Sequence, residues 1–229
     1  MYTRFFLATI VTVLLLAIVA GCGPRDLPEP PPEFLYAAVG TSDAVGVGAV
    51  PLRRGYAFRV RDAHDSRFGR TRLAILAIPA AEIREIQALV DVFVDSDKRP
   101  DVVTVWVGAN DLPGGADVAE FEEELRQLMG TLRGWANGPV VVGNIPDLTK
   151  MPAFQSSRPT TITPERIEAF NTAIERQVRA HNAFLVDLHA EPMEDELVSD
   201  VNGIHPNNDG HRRMADLYFE AILAAMRER

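Results

Sequence analysis

FLYAAVGTSDAVGVG, residues 34–48, begins as an unbroken apolar run and ends as a string of glycines with one serine among them. Seven residues from Phe34 to Gly40 are too few for a helix. They are apolar on both sides of a two-residue alternation. Such a run reads as a strand buried on both faces, the kind found inside a parallel sheet. Gly40, Gly46 and Gly48 then break the chain, and Ser42 falls directly after the strand. Glycine-rich turns hold serine for ordinary backbone reasons, so Ser42 alone carries no function.

Working outward, the same signal returns four times. RLAILAIP (72–79) is stopped by Pro79; DVVTVWVG (101–108) is rich in β-branched residues; GPVVVGNIP (138–146) and AFLVDL (183–188) complete five strands. Helical periodicity fills the gaps. Ile83, Ile86, Val90 and Phe93 predict an amphipathic helix over 81–95. A second is expected over 117–135, with the acidic run EFEEEL near its start, where the helix dipole favours acid. Thr163 and Pro164 form a helix start, followed by a buried face of Ile167, Phe170, Ile174 and Val178. Met214, Leu217, Tyr218, Ala221 and Ile222 mark a last helix. Residues 53–68 look helical but are poorly patterned. Strand and helix in alternation predict one α/β domain, 34–229, with a parallel sheet covered on both faces. Sites in such sheets form in the loops at the carboxyl ends of the strands.

The residues before the domain read differently. Arg4 precedes the apolar stretch FFLATIVTVLLLAIVA (5–20), and small residues follow, which predicts a secretory signal peptide over 1–21. VAGC (19–22) resembles a bacterial lipobox, making Cys22 the expected lipid-attachment residue. Cys22 is the only cysteine, so no intrachain disulfide can form. The proline-rich segment 22–33 is expected to stay extended as a tether. The protein is thus expected outside the cytoplasm, held at a membrane by an N-terminal lipid. A formal charge of −9 argues against a nucleic-acid partner, because phosphate binding needs clustered Lys and Arg.

Three polar residues follow buried strands or lead into the last helix: Ser42, Asn110 in VGAND, and His205 in SDVNGIHPNNDGH. Their chemistry is complementary. A serine hydroxyl needs a neighbouring base to become a nucleophile, and imidazole is the usual one. A side-chain amide can await the oxyanion that forms on an attacked carbonyl. Ser66, Ser96, Ser156, Ser157 and Ser199 lie in polar loops or at helix ends, and Gly-x-Ser-x-Gly is absent. His205, Asp209 and His211 do not share a helix face, so no metal is expected. His64, His181 and His189 read as surface or strand-end residues. Met151 and Phe154, in NIPDLTKMPAF, suit either an acyl pocket or an ordinary proline-bounded loop.

In order, GTSDAVGVGA, ILAIPAAEI, VWVGAND and NGIHPNNDGH resemble the four sequence blocks of the SGNH hydrolases, or GDSL esterases/lipases. The resemblance covers roughly residues 34–228. It implies a flavodoxin-like three-layer α/β/α sandwich with a five-stranded parallel sheet. It implies hydrolysis of a small-molecule or lipid ester through an acyl-serine, without metal or cofactor. It implies Ser42 as nucleophile and His205 as base, with an oxyanion hole from the Ser42 amide, the Ala80 amide and the Asn110 side chain. The chain departs from the pattern in three places. Ala80 stands where glycine is usual. Thr41 replaces the usual aspartate before the serine, with Asp43 after it, expected to hold turn amides. Asn202 stands three residues before His205, where aspartate is usual; Asp200, Asn202 or a backbone carbonyl could orient the imidazole. Asn202 and Ala80 motivate one alternative, a non-catalytic envelope protein that binds glycan or lipid; a separate alternative is an acyltransferase acting on an envelope sugar.

Overall fold

The computed structural model describes residues 33–95, 98–191 and 195–228. The expected signal peptide, the expected lipid site at Cys22 and the expected tether up to residue 32 lie outside these residues.

Five parallel strands form one sheet in the order β2-β1-β3-β4-β5: β1 (Phe34–Gly40), β2 (Thr71–Ala77), β3 (Val102–Trp106), β4 (Val140–Gly143) and β5 (Phe184–Val186). β1 coincides with its expected run, β2 begins one residue before its own, and the other three are shorter than theirs. The pairing stops where proline, glycine or asparagine turns the backbone out of the sheet. Helices α1 (Ser42–Val45), α2 (Tyr56–Phe68), α3 (Ile83–Val94), α4 (Asp111–Gly114), α5 (Val118–Trp135), α6 (Pro152–Ser156), α7 (Pro164–Ala180) and α8 (Asn208–Arg227) connect them.

The strands alternate their burial between two cores. Ala37, Val39, Val103, Val105, Val140 and Val142 pack on one face against Ile83, Ile86 and Val90 of α3, Phe121, Leu125 and Leu128 of α5, and Ile167, Phe170 and Ile174 of α7. Tyr36, Ala38, Val102, Val141 and Val186 pack on the other against Tyr56 and Val60 of α2 and Met214, Tyr218 and Ile222 of α8. The result is the expected three-layer α/β/α sandwich. Caps fix where the helices begin. Thr163 accepts from the Arg166 amide, Asp117 from those of Ala119 and Glu120, and Asn207 from those of Asp209 and Gly210.

Strand order reverses at β1, whose neighbours are β2 and β3. That is the switch point at which open α/β sheets leave a crevice beyond the carboxyl ends of the strands. Gly40 pairs with Ala77 on one side and Trp106 on the other, so the loops after β1, β2 and β3 leave the sheet at the same level.

One histidine is misplaced by the sequence reading. His64 is buried, stacked on Phe34 at 3.9 Å between ring centroids and tilted against Phe68. Its Nδ1 meets Thr71 Oγ1 at 2.8 Å. It belongs to the packing of α2 on the sheet edge, a contact that a poorly patterned helix did not advertise.

Candidate active site

Ser42 opens α1 just after the end of β1, with Thr41 at the bend before it and Gly46 in the left-handed region after it. The loop that brings His205 to it is held by its own backbone. Val198 bridges Pro206, the Ser199 amide donates to the His205 carbonyl at 2.8 Å, and the Gly203 amide to the Ser199 carbonyl at 2.8 Å. Asn202 Oδ1 accepts from the amides of Ile204 and His205 at 3.1 and 3.0 Å. The imidazole Nε2 then lies 2.9 Å from Ser42 Oγ, across 163 residues of sequence. For the hydroxyl to donate to Nε2, the ring proton must sit on Nδ1. Burial lowers the pKa of His205, which favours the neutral ring.

What the far side of the ring meets corrects the expectation. Nδ1 is buried and makes no hydrogen bond among the described residues. Asn202 does not reach it, because its carboxamide oxygen is taken up by two backbone amides. Asp200 is exposed. No backbone carbonyl accepts from Nδ1 either. Asp43 is more than a turn residue: it is buried, Oδ2 lies 3.4 Å from Ser42 Oγ, and Oδ1 has no side-chain partner among the described residues. It faces the nucleophile, and its own backbone amide also favours the charged carboxylate, the one turn amide that the expectation finds there.

Ala80 and Asn110 lie on the neighbouring loops. Ala80 has φ of 63°, the left-handed region that glycine adopts freely and that costs an L-residue about 1 kcal/mol. Alanine therefore keeps the glycine conformation at this position, with strain. The Asn110 carboxamide donates one N–H to the Ala81 carbonyl at 2.9 Å and carries a second. Asp111 Oδ1 accepts from the Ile83 amide at 3.1 Å and so ties the β3 loop to the β2 loop. Ser42, Ala80, Asn110 and His205 all line one cavity of about 270 Å³. The rest of its wall is mainly apolar, including Val47, Leu148, Met151, Phe154 and Ile204. Among the described residues no three His, Cys, Asp or Glu side chains are grouped to hold a metal.

A hydroxyl, an imidazole and a carboxamide around one apolar cavity are the parts an acyl transfer needs. The model of the GDSL-like Lipase/Acylhydrolase family matches residues 38–213. The chain belongs to this family. Its reaction class is carboxylic ester hydrolysis. No curated protein sequence matches the chain. Among solved structures, this GDSL-like hydrolase is similar in fold to TesA, with a TM-score of 0.70 and 17% identity over 83% of this chain and 99% of that one. It is also similar to the esterase EstA from Pseudoalteromonas sp., a structure inhibited by monoethylphosphonate, with 0.69 and 17% over 85% and 100%. A lipase/acylhydrolase from Enterococcus faecalis gives 0.66 and 17% over 83% and 96%.

The hydrolase also uses a histidine that the sequence offered only as a metal candidate. His211, on the first turn of α8, is fully buried. Its Nδ1 accepts from the Tyr56 amide at 3.2 Å and its Nε2 donates to the Val47 carbonyl at 2.9 Å. The neutral ring therefore clamps the turn after Ser42 and the start of α2 onto the loop behind His205. Burial pushes its pKa down to about 4. In the unfolded chain it takes a proton below about pH 6.5, whereas in the fold it resists until about 4, so its contribution is full above 6.5 and is lost as pH falls. Burial raises Asp43 to about 7 and Asp111 to about 6, which acts in the opposite direction over the same window. The histidine is therefore read by difference. The stability gap between wild type and His211→Gln in urea should shrink by about 2.5 kcal/mol between near pH 7.5 and near pH 4.5. A constant gap would remove this role.

Proposed function

We propose that the protein hydrolyses its ester through an acyl-Ser42 intermediate, with His205 as base and then acid. The observation that carries this reading is the 2.9 Å contact between Ser42 Oγ and His205 Nε2 at the wall of an apolar cavity. Ser42 Oγ attacks the carbonyl carbon while its proton passes to Nε2, and the carbonyl electron pair moves onto oxygen. The amides of Ser42 and Ala80 and the free N–H of Asn110 receive that charge. The imidazolium then protonates the departing alkoxide. In the second half, His205 takes a proton from water, the hydroxide attacks the acyl carbon, and Ser42 leaves with the proton returned. Asn202 acts as a positioning residue through the His205 amide, and Asp200 takes no part in the chemistry.

The apolar wall suits an acyl chain, and Met151 and Phe154 line it. The same reading places the enzyme outside the cytoplasm, tethered by a lipid on Cys22; the sequence before residue 33 supports this.

A p-nitrophenyl phosphonate tests the chemistry. It should arrest hydrolysis of p-nitrophenyl butyrate and leave one adduct, on the Ser42 peptide, by mass spectrometry. The labelled protein should fractionate with membranes and leave them when Cys22 is serine. An adduct on another serine, or hydrolysis that continues after complete labelling of Ser42, defeats the assignment.

A further inference from the structure

We infer that Asp43 supplies the negative charge that stabilises protonated His205 during acylation, acting from beneath Ser42 instead of through Nδ1. The inference rests on the acyl-Ser42 reading. Imidazolium forms in the transition state when the Ser42 O–H bond breaks and the proton moves to Nε2. A counter-charge normally helps by accepting from the far nitrogen. Here Nδ1 has no acceptor among the described residues. Asp43 is the carboxyl group in contact with the nucleophile, 3.4 Å from Oγ, and Oγ is 2.9 Å from Nε2. Its other oxygen is buried and unpartnered, and no Lys or Arg among the described residues pairs with it. Its charge is therefore not neutralised by a cation.

The sheet decides which developing charge Asp43 favours. The short helix that carries it, α1, packs into the core of α2 and α8 to which Ala44, Tyr56 and Tyr218 belong. The loop of His205 feeds α8 on that same side. Two of the three oxyanion donors, the Ala80 amide and the Asn110 side chain, sit on loops leading to Ile83 and Leu112, which belong to the core of the opposite face, while the Ser42 amide lies on α1 itself. A carboxylate on the α2/α8 side thus favours the imidazolium over the oxyanion. The titratable groups around Asp43 are neutral at ordinary pH. Tyr56 of α2 and Tyr218 of α8 are held protonated mainly by burial, and the charge of Asp43 adds to both effects. His205 faces it across Ser42. Thr104 and Tyr36, bonded to each other at 2.8 Å in the same core, carry no charge.

Unit charges about 6 Å apart, at an effective permittivity near 20, bias a proton transfer by on the order of 100-fold. Some of that is lost to the oxyanion, so removing the charge should slow acylation about 30-fold. Asp43→Asn keeps the shape. Above pH 8 its kcat/KM for p-nitrophenyl butyrate should fall by about that factor, and phosphonate labelling of Ser42 should slow in step. Burial raises Asp43 to about 7, so wild type should gain activity as pH rises through 7. Asp43→Asn should lack that limb and converge on wild type as pH falls below 6. A variant as fast as wild type at pH 8, or equally slow at every pH, overturns the inference, the second outcome marking a structural role. Should the variant fail to fold, the wild-type profile decides: activity already level above pH 6.5 also overturns it. A wild type that neither hydrolyses the ester nor labels at Ser42 fails the underlying acyl-serine reading instead, and this one falls with it.

Discussion

Ser42→Ala should lower kcat for activated esters by about 10⁵-fold or more while the protein folds normally. The size follows from what is removed. Without Oγ no covalent intermediate forms, and only binding and the oxyanion donors remain to assist direct attack by water, a residual about 10³- to 10⁴-fold over solution. The fold should bear the change. Ser42 lies in the first turn of a four-residue helix whose backbone is closed by Gly46 and Val47 amides donating to the Ser42 carbonyl, bonds that alanine keeps. The loss is one hydroxyl between two acceptors, worth about 1 kcal/mol. The decisive measurement is single-turnover hydrolysis of p-nitrophenyl butyrate beside a urea unfolding curve. A variant that keeps even one-hundredth of wild-type turnover would mean that another residue carries the acyl group.

The sheet was legible in the sequence because parallel strands are buried on both faces. Val102, Val103, Val105 and Val140 to Val142 had to form apolar runs, interrupted only by Thr104, whose hydroxyl is bonded to Tyr36. The loop positions were legible for a related reason. Ser42 and Asn110 follow their strands within a few residues, so strand polarity alone places them at one rim. The contacts that orient side chains were not legible. Asn202 turns its oxygen toward two amides because Gly203 bends the loop at φ of 64°, a backbone choice that spacing does not encode. The clamp made by His211 depends on Tyr56 and Val47, more than 150 residues away in the chain. Asp43 looked like a turn residue because its neighbours in sequence are turn residues. Its neighbours in space are the nucleophile and two tyrosines.

Gly48→Ala should slow turnover about 100-fold and also weaken the fold, although residue 48 touches no substrate. Gly48 sits at φ of 95°, in the turn that follows the nucleophile, directly under the His205 loop. A Cβ there would lie 2.2 Å from the Pro206 carbonyl oxygen and 2.9 Å from His205 Cβ. The first contact is with backbone, which no side-chain rotation can relieve. Something must move by about 1 Å, and displacements of that size between reacting groups cost on the order of 100-fold. The His205 loop is the part able to give. Below the turn, Val47 is clamped by His211, and β1 is fixed between two strands. The strained φ costs about 1–2 kcal/mol and the overpacking about 1–3 more, so the urea midpoint should fall as well. The signature that separates this from simple loss of fold is in the kinetics. Fully folded Gly48→Ala should show lowered kcat with KM for butyrate esters little changed, because the acyl wall at Met151 and Phe154 is untouched. Wild-type kcat in the folded variant would mean that the imidazole does not depend on this close approach, and the positioning argument for the loop would fail.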